Sequence, residues 1–333
     1  MNDAYLAIIN PAAGGGRARE RVGAALDRLR IAGLAIDTAE TCAAGDATRI
    51  AREAYARGCR KFIAAGGDGT AFEIVNGLFP ESILGPGDMG GGNEIATLGF
   101  LPVGTGNSFL RDFEKEDCGK PTSNSRPPHG SGSNQPRSSK SGLERGLQAL
   151  EARRTRSCDV LRLTHKGGCL YYTNLLSVGF TADVAALRHR QFSGLGQFGY
   201  LLSIFLCLAQ LKRRPFPVRV DDNAAFDARP CLFLTFNNSK FTGGKMMIAP
   251  DAVTDDGLIE YVRWGPIGRV GLVRNLIRLY DGTHTEHPLA ERQAVRRVEF
   301  QLDAPIDVMV DGEVMRLECQ TIDVLPSALR VVV

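Results

Sequence analysis

A chain of 333 residues exceeds one ordinary domain, and at 44% hydrophobic residues it carries enough apolar material for two cores. Its 40 basic and 37 acidic side chains leave a net charge of +3, which argues against nucleic acid as a partner and against strong overall attraction to an anionic membrane. The eight cysteines form no CxxC pair and sit mostly in apolar runs, so they read as buried, reduced thiols of a cytosolic protein rather than a disulfide frame.

Asp3 stands where a signal peptide would carry positive charge, and Asn10-Pro11 interrupts the first apolar stretch. Leu6-Ala7-Ile8-Ile9 has the pattern of a buried strand. Arg17 to Ala32 reads as a helix with Val22, Ala25, Leu26 and Leu29 on one face and Gly33 as its stop. Asp46 is a suitable cap for a second helix ending near Gly58. Lys61 to Ala65 is the next strand, and Thr70 with Glu73 has the capping-box spacing that opens a helix through Leu78. Leu98 to Val103 is another strand, with Asn107 a suitable cap for the segment after it. Strand alternating with helix predicts a doubly wound parallel sheet.

From Glu114 to Ser141 the composition falls to Ser, Pro, Gly, Asn, Lys and Arg, which reads as a flexible insertion. A short helix, Gly142 to Arg153, comes next. After Cys158 come closely spaced strands at Val160–Thr164, Leu170–Val178, Val218–Asp221, Cys231–Phe236, Leu258–Arg263, Val298–Leu302, Ile306–Val310 and Leu329–Val333. Helices at Gly199–Gln210 and Ile267–Tyr280 interrupt them. The expected organisation is an α/β domain over 1–157 with an insertion at 114–141. A mainly antiparallel β-sandwich occupies 158–333, its extreme C-terminus free to pack back onto the first domain.

Three stretches directly follow apolar runs and precede helical patterns. They are Asn10-Pro11-Ala12-Ala13-Gly14-Gly15-Gly16-Arg17, Ala65-Gly66-Gly67-Asp68-Gly69-Thr70 and Pro102-Val103-Gly104-Thr105-Gly106-Asn107-Ser108. In a parallel α/β sheet such loops build a phosphate-binding edge, because glycines bring peptide N–H groups close to an anion and a helix start adds its positive dipole end. Nucleotide-dependent phosphate chemistry is therefore the leading expectation. Asp68 either faces nucleotide, metal or acceptor, or bonds the amides of its own turn. Thr70 reads as a helix cap that also reaches phosphate, and Thr105 as a phosphate contact.

The second half adds two acidic candidates. Asp255-Asp256-Gly257-Leu258 suits a hard cation such as Mg²⁺, or is an ordinary Asp-Gly turn. By spacing alone Asp311-Gly312-Glu313 is a hairpin turn. Three features are set aside. Gly85-Pro86-Gly87-Asp88-Met89-Gly90 matches a dinucleotide fingerprint but follows no convincing strand. His284 and His287 lack further suitably spaced metal ligands. The run Phe198 to Leu211 is too short to span a bilayer and reads as a core helix, with a lipid-pocket wall or membrane-facing element as the alternative. The basic clusters Arg153-Arg154-Thr155-Arg156 and Lys212-Arg213-Arg214 read as solvated surface, or as headgroup contacts.

Taken together, Gly66-Gly67-Asp68-Gly69-Thr70, Glu73, Asn76-Gly77-Leu78 and Pro102-Val103-Gly104-Thr105-Gly106-Asn107-Ser108 resemble the diacylglycerol kinase catalytic family. That family includes bacterial soluble lipid kinases, sphingosine kinases and ceramide kinases. Ile248-Ala249-Pro250-Asp251-Ala252, Asp255-Asp256-Gly257-Leu258 and Val310-Asp311-Gly312-Glu313 extend the likeness over nearly the whole chain. The Gly-Gly-Asp-Gly core alone is shared with NAD kinases and phosphofructokinases.

The resemblance implies an α/β nucleotide domain, a C-terminal β-sandwich and an active site in the cleft between them. It implies ATP bound by Asn10, Pro11, Ala12, Ala13, Gly14, Arg17, Thr41, Gly66, Gly67, Asp68, Gly69, Thr70, Ala71, Phe72, Gly104, Thr105 and Asn107. It implies Mg²⁺ held by the Asp256 carboxylate with the backbone carbonyls of Val253 and Leu258. Asp311, beside Glu313, maps to the proton acceptor of the bacterial members, with Asp68 as its rival. The implied activity is transfer of the γ-phosphate of ATP to the hydroxyl of diacylglycerol, a sphingoid base or ceramide. The implied setting is cytoplasmic with transient membrane association, the lipid substrate lying at a membrane surface, and a homodimer is allowed for. An NAD kinase-like enzyme and a non-catalytic nucleotide- or lipid-binding regulator are the competing readings. The segments 114–141 and 85–93 lengthen loops that are usually shorter in the family.

Overall fold

A computed structural model describes residues 4–16, 18–79, 95–103, 109–113, 142–192, 196–243 and 246–333. Strands β1 (Tyr5–Ile9), β2 (Ile36–Glu40), β3 (Lys61–Gly66) and β4 (Thr97–Pro102) run parallel in the order β2-β1-β3-β4. Strands β1, β3 and β4 are apolar because helices cover both faces. Strand β2 is the edge and leaves Asp37 and Thr38 exposed, so its sequence carries no apolar run. Of helices α1 (Ala18–Ile31), α2 (Asp46–Ala56), α3 (Asp68–Leu78) and α4 (Gly142–Ala152), the first and last share one face with Leu26, Leu29, Leu147 and Leu150. The middle pair buries Ala51, Ala54, Ile74 and Leu78 on the other.

Two expected caps are rearranged. The N-cap of α2 is Gly45, and the Asp46 carboxylate turns back to accept the N–H groups of Cys42 (2.8 Å) and Ala43 (3.1 Å). The Thr70–Glu73 capping box does not form, because α3 starts at Asp68 with Gly67 as its N-cap. That start puts Glu73 too deep in the helix to reach back. Its carboxylate instead accepts the N–H groups of Gly45 (2.9 Å) and Ala47 (3.0 Å), orphan donors at the start of α2.

The C-terminal half supplies β5 (Thr155–His165), β6 (Gly168–Tyr172), β7 (Leu175–Gly179), β8 (Val218–Val220), β9 (Phe233–Asn237), β10 (Phe241–Thr242), β11 (Met246–Met247) and β12 (Ile259–Trp264). It continues with β13 (Ala290–Val295), β14 (Arg297–Phe300), β15 (Ile306–Val310), β16 (Glu313–Leu317) and β17 (Cys319–Val332). An antiparallel sheet in the order β13-β12-β9-β7-β15-β16 faces a layer built from β6, β5, β17, β14 and β8. Leu163, Tyr172, Val178, Phe236, Tyr261, Val298, Val308 and Ile322 fill the space between. Helices α5 (Phe180–Gln191), α6 (Gly196–Ala209) and α7 (Arg269–Leu276) cover the outer face of the six-stranded sheet around Phe233, Val262 and Trp264. The run expected as one strand at Leu170–Val178 is two, split by Thr173 and Asn174, and α5 lay outside the sequence expectation.

Strand β17 belongs to both halves. Its first residues pair antiparallel with β14 and β5, and its last pair parallel with β4 (Arg330↔Thr97, Val331↔Leu98). The register shifts between Leu325 and Leu329, where Ser327 takes φ 52°. The fully buried Asp159 pins that shift, accepting the N–H groups of Ser327 (2.6 Å) and Gly257 (2.6 Å). Helix α3 also joins the halves. Phe72 enters the sandwich core, and the Asn76 amide donates to Tyr171 O (2.8 Å) and accepts from Tyr171 N–H (2.9 Å), imitating one rung of a β-ladder.

Replacing Asn76 with alanine strands the N–H and C=O of Tyr171, and each unmet buried group costs about 1–3 kcal/mol. Guanidinium unfolding of Asn76→Ala is expected to show a loss of about 2–3 kcal/mol at unchanged slope.

Candidate active site

Parallel strands deliver their following loops to one edge, and between β1 and β3 the chain crossings diverge, which is where such sheets open a crevice. Asn10 donates its N–H to Ala65 O (3.0 Å), and its side-chain oxygen accepts Ala12 N–H (3.0 Å), turning the chain after Pro11 into the 3-10 turn Ala13–Gly16. Gly14 has φ 61°, and a side chain there would start 2.6 Å from Val103 O. Val103 N–H in turn donates to Gly66 O (3.0 Å), so the loops after β1, β3 and β4 lie against one another. Thr41 is buried at the end of β2, its N–H (2.9 Å) and hydroxyl (3.4 Å) both on Ile9 O.

Gly67 is extended and caps α3, and among the described residues nothing beyond its chain neighbours lies within 4 Å of where a side chain would begin. Asp68 and Gly69 open the helix. The Thr70 hydroxyl is buried against Gly66 and meets no hydrogen-bond partner among the described residues, so it does not cap the helix. Ala71 packs on the α/β core and Phe72 turns its ring into the sandwich, away from the loop edge. Arg17, Gly104, Thr105 and Asn107 lie outside the described residues, as do the segments 85–93 and 114–141.

Asp311 and Gly312 form the two-residue turn between β15 and β16, with φ 47° and 92° and Val310 paired to Glu313. Such a turn requires positive φ at both positions. The hairpin reading of this motif is therefore correct, and the turn also buries a carboxylate. Asp311 is only 8% exposed, and its carboxylate accepts the N–H groups of Thr173 (2.9 Å), Asn174 (3.0 Å) and Leu175 (2.9 Å). Burial pushes its pKa up to about 6; the three amides oppose this, and the charge of Asp68 adds to it.

Glu313 lies so close to the start of α3 that a side chain on Gly69 would strike its carboxylate. Its pKa is raised by burial and by Glu73, against an opposing pull from His189 at the end of α5. Asp68, Asp311 and Glu313, from both halves, thus meet at the helix start beside the glycine loops.

Farther along the sandwich, the Asp256 carboxylate accepts Leu258 N–H (2.9 Å), so the Asp-Gly turn is real. Burial first, then the charges of Asp256 and Asp255, raise the pKa of Asp159, and burial with Asp256 raises that of Glu260. Among the described residues none of these four carboxylates has an ion-pair partner. Val253 is exposed nearby in sequence. His284 is buried with Nε2 on Ile248 O (3.1 Å), a structural role, and no metal-holding group of three His, Cys, Asp or Glu occurs among the described residues.

Several polar residues behind Asp311 escaped the sequence reading. Asp112 accepts Lys240 N–H (2.8 Å) and a bond from Ser239; the Ser239 hydroxyl meets the Asn174 side chain, and Asn174 N–H holds Asp311. Burial pushes Asp112 up to about 6, and one of its oxygens is buried without a partner among the described residues. The signal available was the polar run Asn237-Asn238-Ser239 closing an apolar strand; Asp112 itself had none.

Known proteins bear on this arrangement. The family profile described as the diacylglycerol kinase catalytic domain matches residues 4–126, and that of the YegS C-terminal NAD kinase beta sandwich-like domain matches 174–333. The chain thus resembles the diacylglycerol kinase catalytic domain over its N-terminal part and a YegS-type sandwich over its C-terminal part. Among similar proteins, a diacylglycerol kinase of Bacillus subtilis is 28% identical, with 92% of this chain and 88% of that protein aligned. One from Mycobacterium tuberculosis is 26% identical over 98% of this chain and 93% of its own length. The crystal structure of a diacylglycerol kinase from Bacillus anthracis shares the fold, with TM-score 0.65 at 16% identity, covering 99% of this chain and 96% of that one.

Asp112 ionises in the unfolded chain near pH 4 but in the folded one near pH 6, so its contribution to stability is greatest below pH 4 and is lost as pH rises to 6. Asparagine has no such titration. In urea unfolding across that range, Asp112→Asn is expected to gain on the wild type by at most about 3 kcal/mol, with a flat difference above pH 7.

Proposed function

We propose that this chain is an ATP- and Mg²⁺-dependent lipid kinase acting on the hydroxyl of diacylglycerol or a related lipid at a membrane surface. The observation that carries the reading is the meeting of Asp311 and Glu313 from the sandwich with Asp68 and the glycine loops of the α/β sheet. The match of residues 4–126 to the diacylglycerol kinase catalytic domain makes ATP the expected phosphate donor.

The residues present fit a nucleotide. Gly67 leaves clear space at a helix start, where peptide N–H groups and the helix dipole favour phosphate oxygens. Asn10 to Gly14 complete the edge. Oxygen donors such as Asp256, Val253 and Leu258 suit a hard cation, and the carboxylates Asp159, Asp255, Asp256 and Glu260, without ion-pair partners among the described residues, favour one. Bound Mg²⁺ would offset their charge and steady the loop that Asp159 ties to β17.

Asp311 is the proposed base. A carboxylate has about four acceptor positions, and peptide N–H groups take three, which aims the remaining one. Burial raises its basicity while leaving it ionised above about pH 6, where it can accept the proton of the attacking hydroxyl. Asp68 keeps Asp311 basic through its charge and is the group placed to organise the phosphate side. The matched NAD kinase-like sandwich keeps a soluble dinucleotide as the rival acceptor.

Transfer of labelled phosphate from ATP to a lipid panel, with NAD alongside, tests the assignment; label on NAD alone would reject it. Asp311→Asn is expected to lower turnover at least about 100-fold while ATP affinity in calorimetry holds. In the wild type, turnover should fall as pH drops below about 6. Asp256→Ala is expected to lower the melting temperature and activity, both recovering in part with excess Mg²⁺; indifference to mutation and metal would remove that ion from the scheme.

A further inference from the structure

Helix α7 and the turn continuing it, Ile277–Leu279, bury Leu272, Asn275 and Leu279 against the sandwich. Their other side exposes Val270, Val273, Ile277 and Tyr280, at 66%, 49%, 77% and 59%. At about 100° per residue, Val270, Val273 and Ile277 form one stripe, with Arg274 and Arg278 in a second beside it. Arg269 donates to Leu208 O (3.1 Å) and Ala209 O (2.8 Å), setting the end of α6 next to the start of α7. Helix α6 adds exposed Phe205 and Leu206, and Arg213 donates to Ile267 O (3.2 Å).

Singly scattered apolar residues are ordinary on a soluble surface, but a concentration on two adjoining helices is not. The charge around it points to the occupant. Among the described residues Arg274 and Arg278 have no ion-pair partner, and Asp281 is the carboxylate in electrostatic reach of Arg278. An apolar stripe edged by arginines suits the boundary between anionic headgroups and acyl chains. A second copy docking by two-fold symmetry would bring this cationic face against itself.

We propose that the α6–α7 face docks on a bilayer containing anionic lipid, with Val270, Val273, Ile277 and Tyr280 among the upper acyl chains and Arg274 and Arg278 on lipid phosphates. The proposal rests on the lipid-kinase reading for its purpose, since a membrane-embedded substrate needs an enzyme held at the surface. Hydrogen bonds run from this region toward the site: His284 to Ile248 O (3.1 Å), Ala249 N–H to Lys240 O (3.3 Å) and Lys240 N–H to Asp112 (2.8 Å).

Sedimentation of the full chain with sucrose-loaded vesicles, without ATP, tests docking apart from turnover. Vesicles of phosphatidylcholine with phosphatidylglycerol should bind it more tightly than phosphatidylcholine alone, and added salt should weaken that binding. Arg274→Gln and Arg278→Gln should each weaken it about fivefold, and Ile277→Asp at least about tenfold, while Arg57→Gln on the turn after α2 changes nothing. All four positions are exposed, and unchanged melting temperatures would exclude misfolding. Equal binding by wild type and Ile277→Asp, or none by wild type, overturns the proposal. So does self-association that Ile277→Asp abolishes without any vesicle binding. Turnover of detergent-dispersed diacylglycerol should survive these substitutions. Wild type that binds vesicles as described yet phosphorylates no lipid would sink the kinase reading and leave the docking face standing.

Discussion

One continuous strand holds the two halves in register. Strand β17 hydrogen-bonds to β5 and β14 in the sandwich and to β4 in the parallel sheet, so the halves share a sheet instead of hanging on a linker. Such a strand must bend between its two sets of partners, and the register shift around Ser327 is where it does so. The Ser327 N–H at that bend is met by Asp159, whose other oxygen anchors the Gly257 loop. The position of the acidic loop is therefore coupled to the joint between the halves.

The same joint explains a concentration of buried polarity between the layers. Asn174, Asn238, Ser239 and Asp311 are nearly inaccessible, an arrangement tolerated only when almost every donor and acceptor is matched. Asn238 donates to Asp159 O (2.9 Å) and Thr173 O (2.9 Å), although its side-chain oxygen meets no partner among the described residues. The low local dielectric raises both Asp112 and Asp311, and one network of bonds carries both.

Net charge says little about local surfaces. A total of +3 conceals a face where arginines flank apolar side chains, because carboxylates elsewhere balance the sum. Arg214, in the basic cluster after α6, is for its part paired to Asp183, so a run of basic residues in sequence is not a cationic patch in space.

Strands β1, β3 and β4 and the glycine turns after the first two were legible in the sequence, because buried strands and tight turns leave local signatures of period and glycine. The long helix patterns were legible for the same reason. Edge strand β2, helix α5 and the length of β17 were not, since their stability comes from distant partners. Thr70 and Glu73 had the spacing of a cap, but the helix begun at Asp68 and the needs of the α2 start redirected both. The motif at Asp311 reads locally as a turn, and it is one. Its burial beside Asp68 depends on peptide groups of residues 173–175, over a hundred positions away, and only the packed chain could bring them there.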